Sequence, residues 1–269
     1  MKQGDVIVIT GATSGIGLAC ARLFYQNGYR LSLAARSLDS LLMVQKELDP
    51  TGIRVTVVQA DVGLQLDCKK IIDHTISVFG TIHVLMNNAG ITMRALFKEV
   101  DLSVMHKIME VNFWGAVHCT HYALPELLKN KGSVIGVSSV AGYKGLPTRT
   151  GYSASKFALE GFLETLRIEN LKTGLHVLIA RPGFTATNIR NTMMDAKGQS
   201  QGSSHKDEAR SMTPEYVAEG IFKSVQKRKS YMLLSTTAIL TFWLNKFFPA
   251  WVDRQVFRHV QKEKDSPLK

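Results

Sequence analysis

Val6-Ile7-Val8-Ile9-Thr10-Gly11-Ala12-Thr13-Ser14-Gly15-Ile16-Gly17 is the stretch that decides the fold. It begins with a β-branched run, as in a strand buried on both faces. A glycine-rich turn with the spacing Gly-x3-Gly-x-Gly follows, then a helical pattern through Ala21, Leu23 and Phe24. Glycines in such a turn let the backbone bend sharply and approach a pyrophosphate, whose charge sits at the helix N-terminus. A strand, a glycine turn and a helix in that order predict a dinucleotide site.

The same alternation runs down the chain. After a helix stop at Gly28, Leu31 to Ala35 reads as a second strand, and Ser37 can cap a helix carrying Leu41, Leu42, Val44 and Leu48. Val55 to Val58 is a third strand leading to Asp61. Ile71, Ile72, Thr75, Ile76 and Phe79 have helical spacing, and Ile82 to Met86 is a fourth strand. A long helical stretch is expected from about Leu102 to Leu128, a fifth strand over Ser133–Val137, a helix over about Gly151–Leu171 and a sixth strand over His176–Ala180. Thr213-Pro214 starts a helix with Val217, Ala218, Ile221, Phe222 and Val225 inward, and Tyr231 to Leu234 can add a seventh strand. This alternation predicts an α/β fold, a doubly wound parallel sheet with helices on both faces. No repeat or linker divides the chain, so residues 1–269 read as a single domain.

Composition narrows the function. Of 269 residues, 45% are hydrophobic and 20% charged, ordinary values for a globular chain that can bury a large core. The net charge of +11 and a pI near 9.6 suit an anionic ligand such as a nucleotide, or an anionic membrane surface. No helix-turn-helix, zinc-finger or RNA-binding signature is present, so no nucleic-acid partner is expected. Cys20, Cys68 and Cys119 lie far apart without metal-ligand or redox spacing, as expected of reduced packing residues in a cytoplasmic protein. Met1 to Gly4 runs straight into the first strand, and no signal peptide or N-terminal anchor is expected.

Two features point to chemistry. Tyr152 and Lys156 stand four positions apart, on one face of a helix. A phenol alone titrates near ~10, and a lysine held beside it is expected to pull that value down and make the pair a general acid/base. At the end of the second strand, where a carboxylate would hold the adenosine ribose of NAD, the chain reads Ala34-Ala35-Arg36-Ser37. A guanidinium there suits a phosphate, and the cofactor should be NADP(H).

The chain resembles the short-chain dehydrogenase/reductase family from about Asp5 to about Leu234. The resemblance rests on motifs in order: the glycine turn, Asp61-Val62, Asn87-Asn88-Ala89-Gly90, Asn112, Ser139, Tyr152-x3-Lys156, and Pro182-Gly183 followed by Thr187. It implies a Rossmann fold with a seven-stranded parallel sheet in the order 3-2-1-4-5-6-7. It also implies a catalytic tetrad of Asn112, Ser139, Tyr152 and Lys156. Tyr152 would protonate a carbonyl oxygen, Lys156 would lower its pKa and bind the nicotinamide ribose, and Ser139 would hold the substrate oxygen. Asn112 would hold a water linking Lys156 to solvent. By the same resemblance the cofactor contacts come from Gly11, Thr13, Ser14, Gly15, Ile16, Gly17, Arg36, Ser37, Asp61, Val62, Asn88, Ala89, Gly90, Tyr152, Lys156, Pro182, Gly183, Thr185 and Thr187. Asp61 would meet the adenine and Thr187 the nicotinamide carboxamide. Thr185 departs from the family's usual valine or isoleucine. No metal is implied.

The expected activity is that of an NADPH-dependent carbonyl reductase, reversible as an alcohol dehydrogenase. The rival is a non-catalytic NADP(H)-binding sensor or scaffold, although all four tetrad positions are filled. The substrate stays open between a lipid-like ketone, a 3-oxoacyl thioester and a small xenobiotic carbonyl. The resemblance also implies a homodimer or homotetramer. Residues 185–212, whose later part is rich in Gly, Ser and Lys, suit a lid over the crevice. The C-terminal third, which ends in an apolar and basic extension over 236–269, resembles membrane-associated members of the family, the 7B type among them. Its apolar run from Ala238 to Val252 is interrupted by Asn245, Lys246 and Pro249, and a spanning helix needs ~20 mostly apolar residues. Two readings stay open. The segment lies on a membrane surface with Arg254, Arg258, Lys262, Lys264 and Lys269 at the headgroups, or its aromatics cover the pocket or a second subunit.

Overall fold

Seven parallel strands form one sheet in the order β3-β2-β1-β4-β5-β6-β7, as expected. In this computed structural model they are β1 (Val6–Thr10), β2 (Arg30–Ala35), β3 (Val55–Gln59), β4 (Val84–Asn87), β5 (Ser133–Val137), β6 (His176–Arg181) and β7 (Tyr231–Leu233). The helices are α1 (Gly15–Gln26), α2 (Leu38–Leu48), α3 (Gln65–Phe79), α4 (Leu102–Met109), α5 (Gly115–Lys129), α6 (Thr150–Glu169), α7 (Pro214–Gln226), α8 (Thr236–Phe247) and α9 (Pro249–Gln261). The structure describes residues 1–187, 189, 192–202, 211–262 and 266–269, and only the backbone of 236–238. Lys264 and, within the expected lid, residues 188, 190, 191 and 203–210 lie outside the described residues.

The sheet is covered on both faces, so its strands carry continuous apolar runs. One face packs α1, α2 and α7 through Phe24, Leu41, Val44, Val217, Ile221 and Val225. The other packs α3, α5 and α6 through Ile71, Ile72, Ala123, Leu127, Leu159 and Leu163. Phe24 is fully buried, with the Tyr29 and Phe222 rings 5.6 and 5.4 Å away; burying such a side chain stabilises the fold by about 2–3 kcal/mol. Gly136 in β5 lets α6 close onto the sheet, because a Cβ there would overlap the Leu163 side chain. That close seat sets the height of Tyr152 and Lys156 over the end of β5.

Three details go beyond the sequence reading. The expected helical stretch over 102–128 is present without a break as α4, a π-turn over Glu110–Trp114 and α5, and the π-turn shifts the register at buried Asn112. On α2, Leu41 and Val44 are buried in the core and Leu48 packs against it partly buried, while Leu42 faces solvent. The extension beyond β7 folds as a helical hairpin, α8 and α9. Ser37 and Thr213 cap their helices as read from sequence, accepting from the Ser40 and Tyr216 amides at 3.2 Å each.

Candidate active site

A cleft of ≈ 460 Å³ opens at the C-terminal edge of the sheet, along the ends of β1, β2, β4, β5 and β6. Gly11, Thr13, Ser14, Gly15 and Ile16 form its floor, where β1 gives way to α1. Gly11 and Gly15 have φ of +66° and +53°, conformations that favour glycine. A Cβ on Gly11 would stand 2.9 Å from Ala89 Cα, and one on Gly15 would stand 3.0 Å from Thr187 Cγ2. The first turn of α1 carries no acidic residue, and Ser14 makes no side-chain cap. Open amides and a bare helix terminus are an anion cradle, so the residues present fit a dinucleotide.

Gly17 is not on the wall. Its Cα faces the carbonyl of Gly11 and lies close to Asn88 Nδ2. Asn88 in turn donates to the carbonyls of Thr10 and Gly11 at 2.9 and 3.1 Å, locking the glycine turn to the loop after β4. Thr10 Oγ1 accepts from the amides of Asn88 and Ala89 at 3.1 Å each. Asn88 thus lines the cleft and also holds it in shape.

At the adenosine end, Arg36, Ser37, Asp61 and Val62 line the same cleft. Arg36 is exposed and has no acidic partner among the described residues, so its guanidinium is available to a ligand. Asp61 accepts from the Gly63 amide at 2.9 Å, which fixes the carboxylate at the cleft edge.

At the other end stand Ser139, Tyr152 and Lys156, with Ala89, Gly90, Pro182, Gly183, Thr185 and Thr187 completing the wall. Ser139 hydrogen-bonds the Tyr152 phenol and accepts from the Ala141 amide at 3.2 Å. Neighbouring Ser138 also borders the cleft, but it is buried and donates its hydroxyl proton to Glu160 at 2.6 Å, whereas Ser139 is left to Tyr152. Lys156 is buried and donates to the Val137 carbonyl at 2.8 Å, with its ammonium 5.8 Å from the Tyr152 ring centre.

The protonation states differ from the sequence reading. Burial pushes the Tyr152 phenol up, against the Ser139 hydrogen bond and the charge of Arg149. Burial also brings Lys156 down to about 8, opposed by the charge of Glu160. The phenol is therefore a neutral proton donor at physiological pH. Glu160 is itself held by buried Arg181, with contacts of 2.6 and 3.0 Å, and leaving either charge without the other would cost about 3–5 kcal/mol.

Asn112 sits behind the wall. Its amide clasps the Ile91 peptide, accepting from the amide at 2.8 Å and donating to the carbonyl at 2.9 Å, and it donates to Ser155 at 3.0 Å. The side chain is committed to positioning the Gly90–Ile91 loop rather than to holding a water. The cleft also includes residues that sequence reading missed, Thr92, Leu146, Arg149 and Phe184, and takes Ile189, Thr192 and Met193 from the expected lid. Arg149, three positions before Tyr152, could have been found from helical spacing. The others could not, because they belong to loops without periodicity.

A family model for short chain dehydrogenase matches residues 5–198. Over 252 residues the chain is 37% identical to 11-beta-hydroxysteroid dehydrogenase-like 4A of Arabidopsis thaliana, covering 92% of this chain and 82% of that protein. It is 31% identical over 270 residues to dehydrogenase/reductase SDR family member 7B of Mus musculus, covering 98% and 84%. A Burkholderia phymatum short-chain dehydrogenase/reductase in complex with NAD has the same fold, with a TM-score of 0.82 at 24% identity, covering 94% of this chain and 95% of the other. An alcohol dehydrogenase from Thermococcus sibiricus complexed with 5-hydroxy-NADP superposes with a TM-score of 0.72 at 26% identity, covering 83% and 91%. The nucleotide cradle, the Tyr152–Lys156 pair beside Ser139 and these matches together make the chain a member of the short-chain dehydrogenase family, an NAD(P)-binding oxidoreductase.

Proposed function

We propose that this protein is an NADPH-dependent carbonyl reductase, reversible as an alcohol dehydrogenase. The observation that carries the reading is one continuous cleft joining Arg36 at one end to Ser139, Tyr152 and Lys156 at the other. When bound, the nicotinamide supplies a hydride to the carbonyl carbon. Tyr152 gives its phenolic proton to the carbonyl oxygen, and Ser139 donates a hydrogen bond to that oxygen as charge develops. The Lys156 ammonium steadies the phenolate left behind and holds the nicotinamide ribose. With its side chain committed to Ile91 and Ser155, Asn112 would hold the relay water by its main-chain carbonyl.

Residues 185–212 act as the substrate lid. Their described part is tied down where Met194 exchanges backbone hydrogen bonds with Thr92 and Arg94 at 3.0 and 2.9 Å. Thr192 and Met193 face the cleft beside Leu146 and Phe184, an apolar wall that suits a lipid-like ketone over a small charged one. Half-exposed Trp114 and Phe157, on the outer side of the α5–α6 layer, suit a symmetric dimer or tetramer. Cys20, Cys68 and Cys119 carry buried free thiols, which suits a reducing compartment such as the cytoplasm.

NADPH consumption against a panel of steroid-like ketones, 3-oxoacyl thioesters and small carbonyls tests the reading. Turnover of none of them would overturn it. Arg36→Ala should weaken NADPH by about tenfold or more and leave NADH nearly unchanged, because only the phosphate loses a charge-assisted contact. Equal affinity of the parent protein for both cofactors would sink the NADP assignment.

The pH profile is a further check. Lys156 carries its charge below about 8 and loses it above. The kcat/KM for NADPH, which reports free-enzyme groups, should therefore bend downward as pH rises through about 8. A flat profile up to the range of an ordinary lysine would show that Lys156 does not titrate there.

A further inference from the structure

Helix α8 faces the wrong way for a helix of a water-soluble protein. Ile239, Leu240, Trp243 and Phe247 recur at helical spacing and all point to solvent, between 42% and 65% exposed. The opposite face carries Phe242 and Asn245. Phe242 packs on Tyr143 with ring centres 5.3 Å apart and lies 5.3 Å from the Arg181 guanidinium; Asn245 accepts from Lys144 at 2.8 Å. The polar side thus anchors the helix and the apolar side is presented outward. The turn into α9 extends that surface with Phe248 and Trp251, 61% and 52% exposed. Among the described residues no helix is long and apolar enough to cross a membrane.

The anchoring is firm. Lys144 also pairs with Asp253 of α9, and Val252 and Val260 bury the inner face of that helix. The outer face of α9 carries Arg254 and Arg258, exposed and without an acidic partner among the described residues. Lys246 lies 5.8 Å from the Trp243 ring, and Lys262 follows on the next turn. Aromatic side chains rimmed by cations without an acidic partner among the described residues match the boundary of an anionic bilayer.

Location links this surface to the cleft. α8 begins where β7 ends, on the same sheet edge as the cleft. Arg254 and Arg258 border an open groove against Gly145 and Pro147, which flank the cleft residue Leu146.

We propose that the α8–α9 hairpin docks on an anionic lipid bilayer and holds the cleft mouth at the membrane, so that an apolar carbonyl substrate enters from the lipid. The docking stands on the hairpin alone; the entry of substrate rests on the reductase reading above. A second copy of this chain is the less suitable occupant. A two-fold interface would set this basic patch against its own copy and gather both sets of cations into one surface, whereas anionic headgroups neutralise them.

Flotation with vesicles tests this without any activity measurement. The full chain should float at low salt with phosphatidylcholine vesicles containing phosphatidylserine, bind pure phosphatidylcholine several-fold less, and be released by high salt. The Trp243→Ser/Phe247→Ser double variant should lose vesicle binding with an unchanged melting temperature, and Arg254→Glu/Arg258→Glu should weaken it about tenfold or more. Sedimentation of the same proteins supplies the alternative outcome. If the parent stays off the anionic vesicles, or if the double variant still floats but falls from a dimer to a monomer, the surface belongs to a second copy and the membrane proposal is overturned. Vesicle binding without turnover of any carbonyl would leave the docking intact and defeat only the reductase reading.

Discussion

Tyr152→Phe is expected to reduce turnover by about two orders of magnitude or more, with NADPH binding nearly unchanged. The substitution keeps the ring and removes only the hydroxyl that Ser139 aligns at the cleft wall. The pKa direction sharpens the expectation. Burial raises the phenol, so it is a proton reservoir at neutral pH and no nearby group on the cleft wall is placed to replace it. Ser139 is a far weaker acid, and Lys156 is turned to the Val137 carbonyl. Single-turnover reduction and a cofactor titration on the same preparation separate the effects. Near-normal reduction by the variant would remove Tyr152 as the acid; loss of NADPH binding would show that the hydroxyl holds the site together instead.

Gly17→Ala should act on the scaffold of the same cleft. A single methyl there would overlap the carbonyl oxygen of Gly11 and stand 2.6 Å from Asn88 Nδ2. Neither neighbour can yield cheaply. The Gly11 carbonyl belongs to the turn itself, and Asn88 is the latch that joins the turn to β4. Overpacking a fixed backbone costs about 3 kcal/mol, and for a chain of this size that corresponds to a fall in Tm of ~6–12 °C. Pyrophosphate affinity should fall with it, since the open amides of Thr13 to Ile16 would no longer converge. Thermal melts with and without NADPH read both effects. An alanine variant with parental Tm and parental NADPH affinity would mean that the turn is looser than its contacts imply.

Most of the fold was legible because its cause is local. The run Val6 to Thr10 is β-branched and apolar throughout, and only a strand covered on both faces tolerates that. The caps Ser37 and Thr213 sit where their hydroxyls reach an amide three residues on. What was not legible was detail that depends on a neighbour far along the chain. The helix over 102–128 has unbroken propensity, and its π-turn arises where Asn112 is drawn to the Ile91 peptide, a contact 21 residues distant.

The chemistry divides in the same way. By itself the sequence determined the candidate side chains: the spacing from Gly11 to Gly17, the absence of a carboxylate after Ala35, and Tyr152 with Lys156 on one helical face are read along a single chain. Tertiary structure decided what those side chains can do. Packing of α6 on β5 turns Ser138 to Glu160 and leaves Ser139 to Tyr152. Burial, which no sequence position states, lifts the phenol and lowers Lys156, reversing the expectation for the tyrosine. The direction of α8 is the clearest case. Its sequence is apolar enough to be buried, but Lys144, Tyr143 and Arg181 hold its Asn245 and Phe242 side inward. A helix has two faces, and which of them meets water is set by the partner it finds.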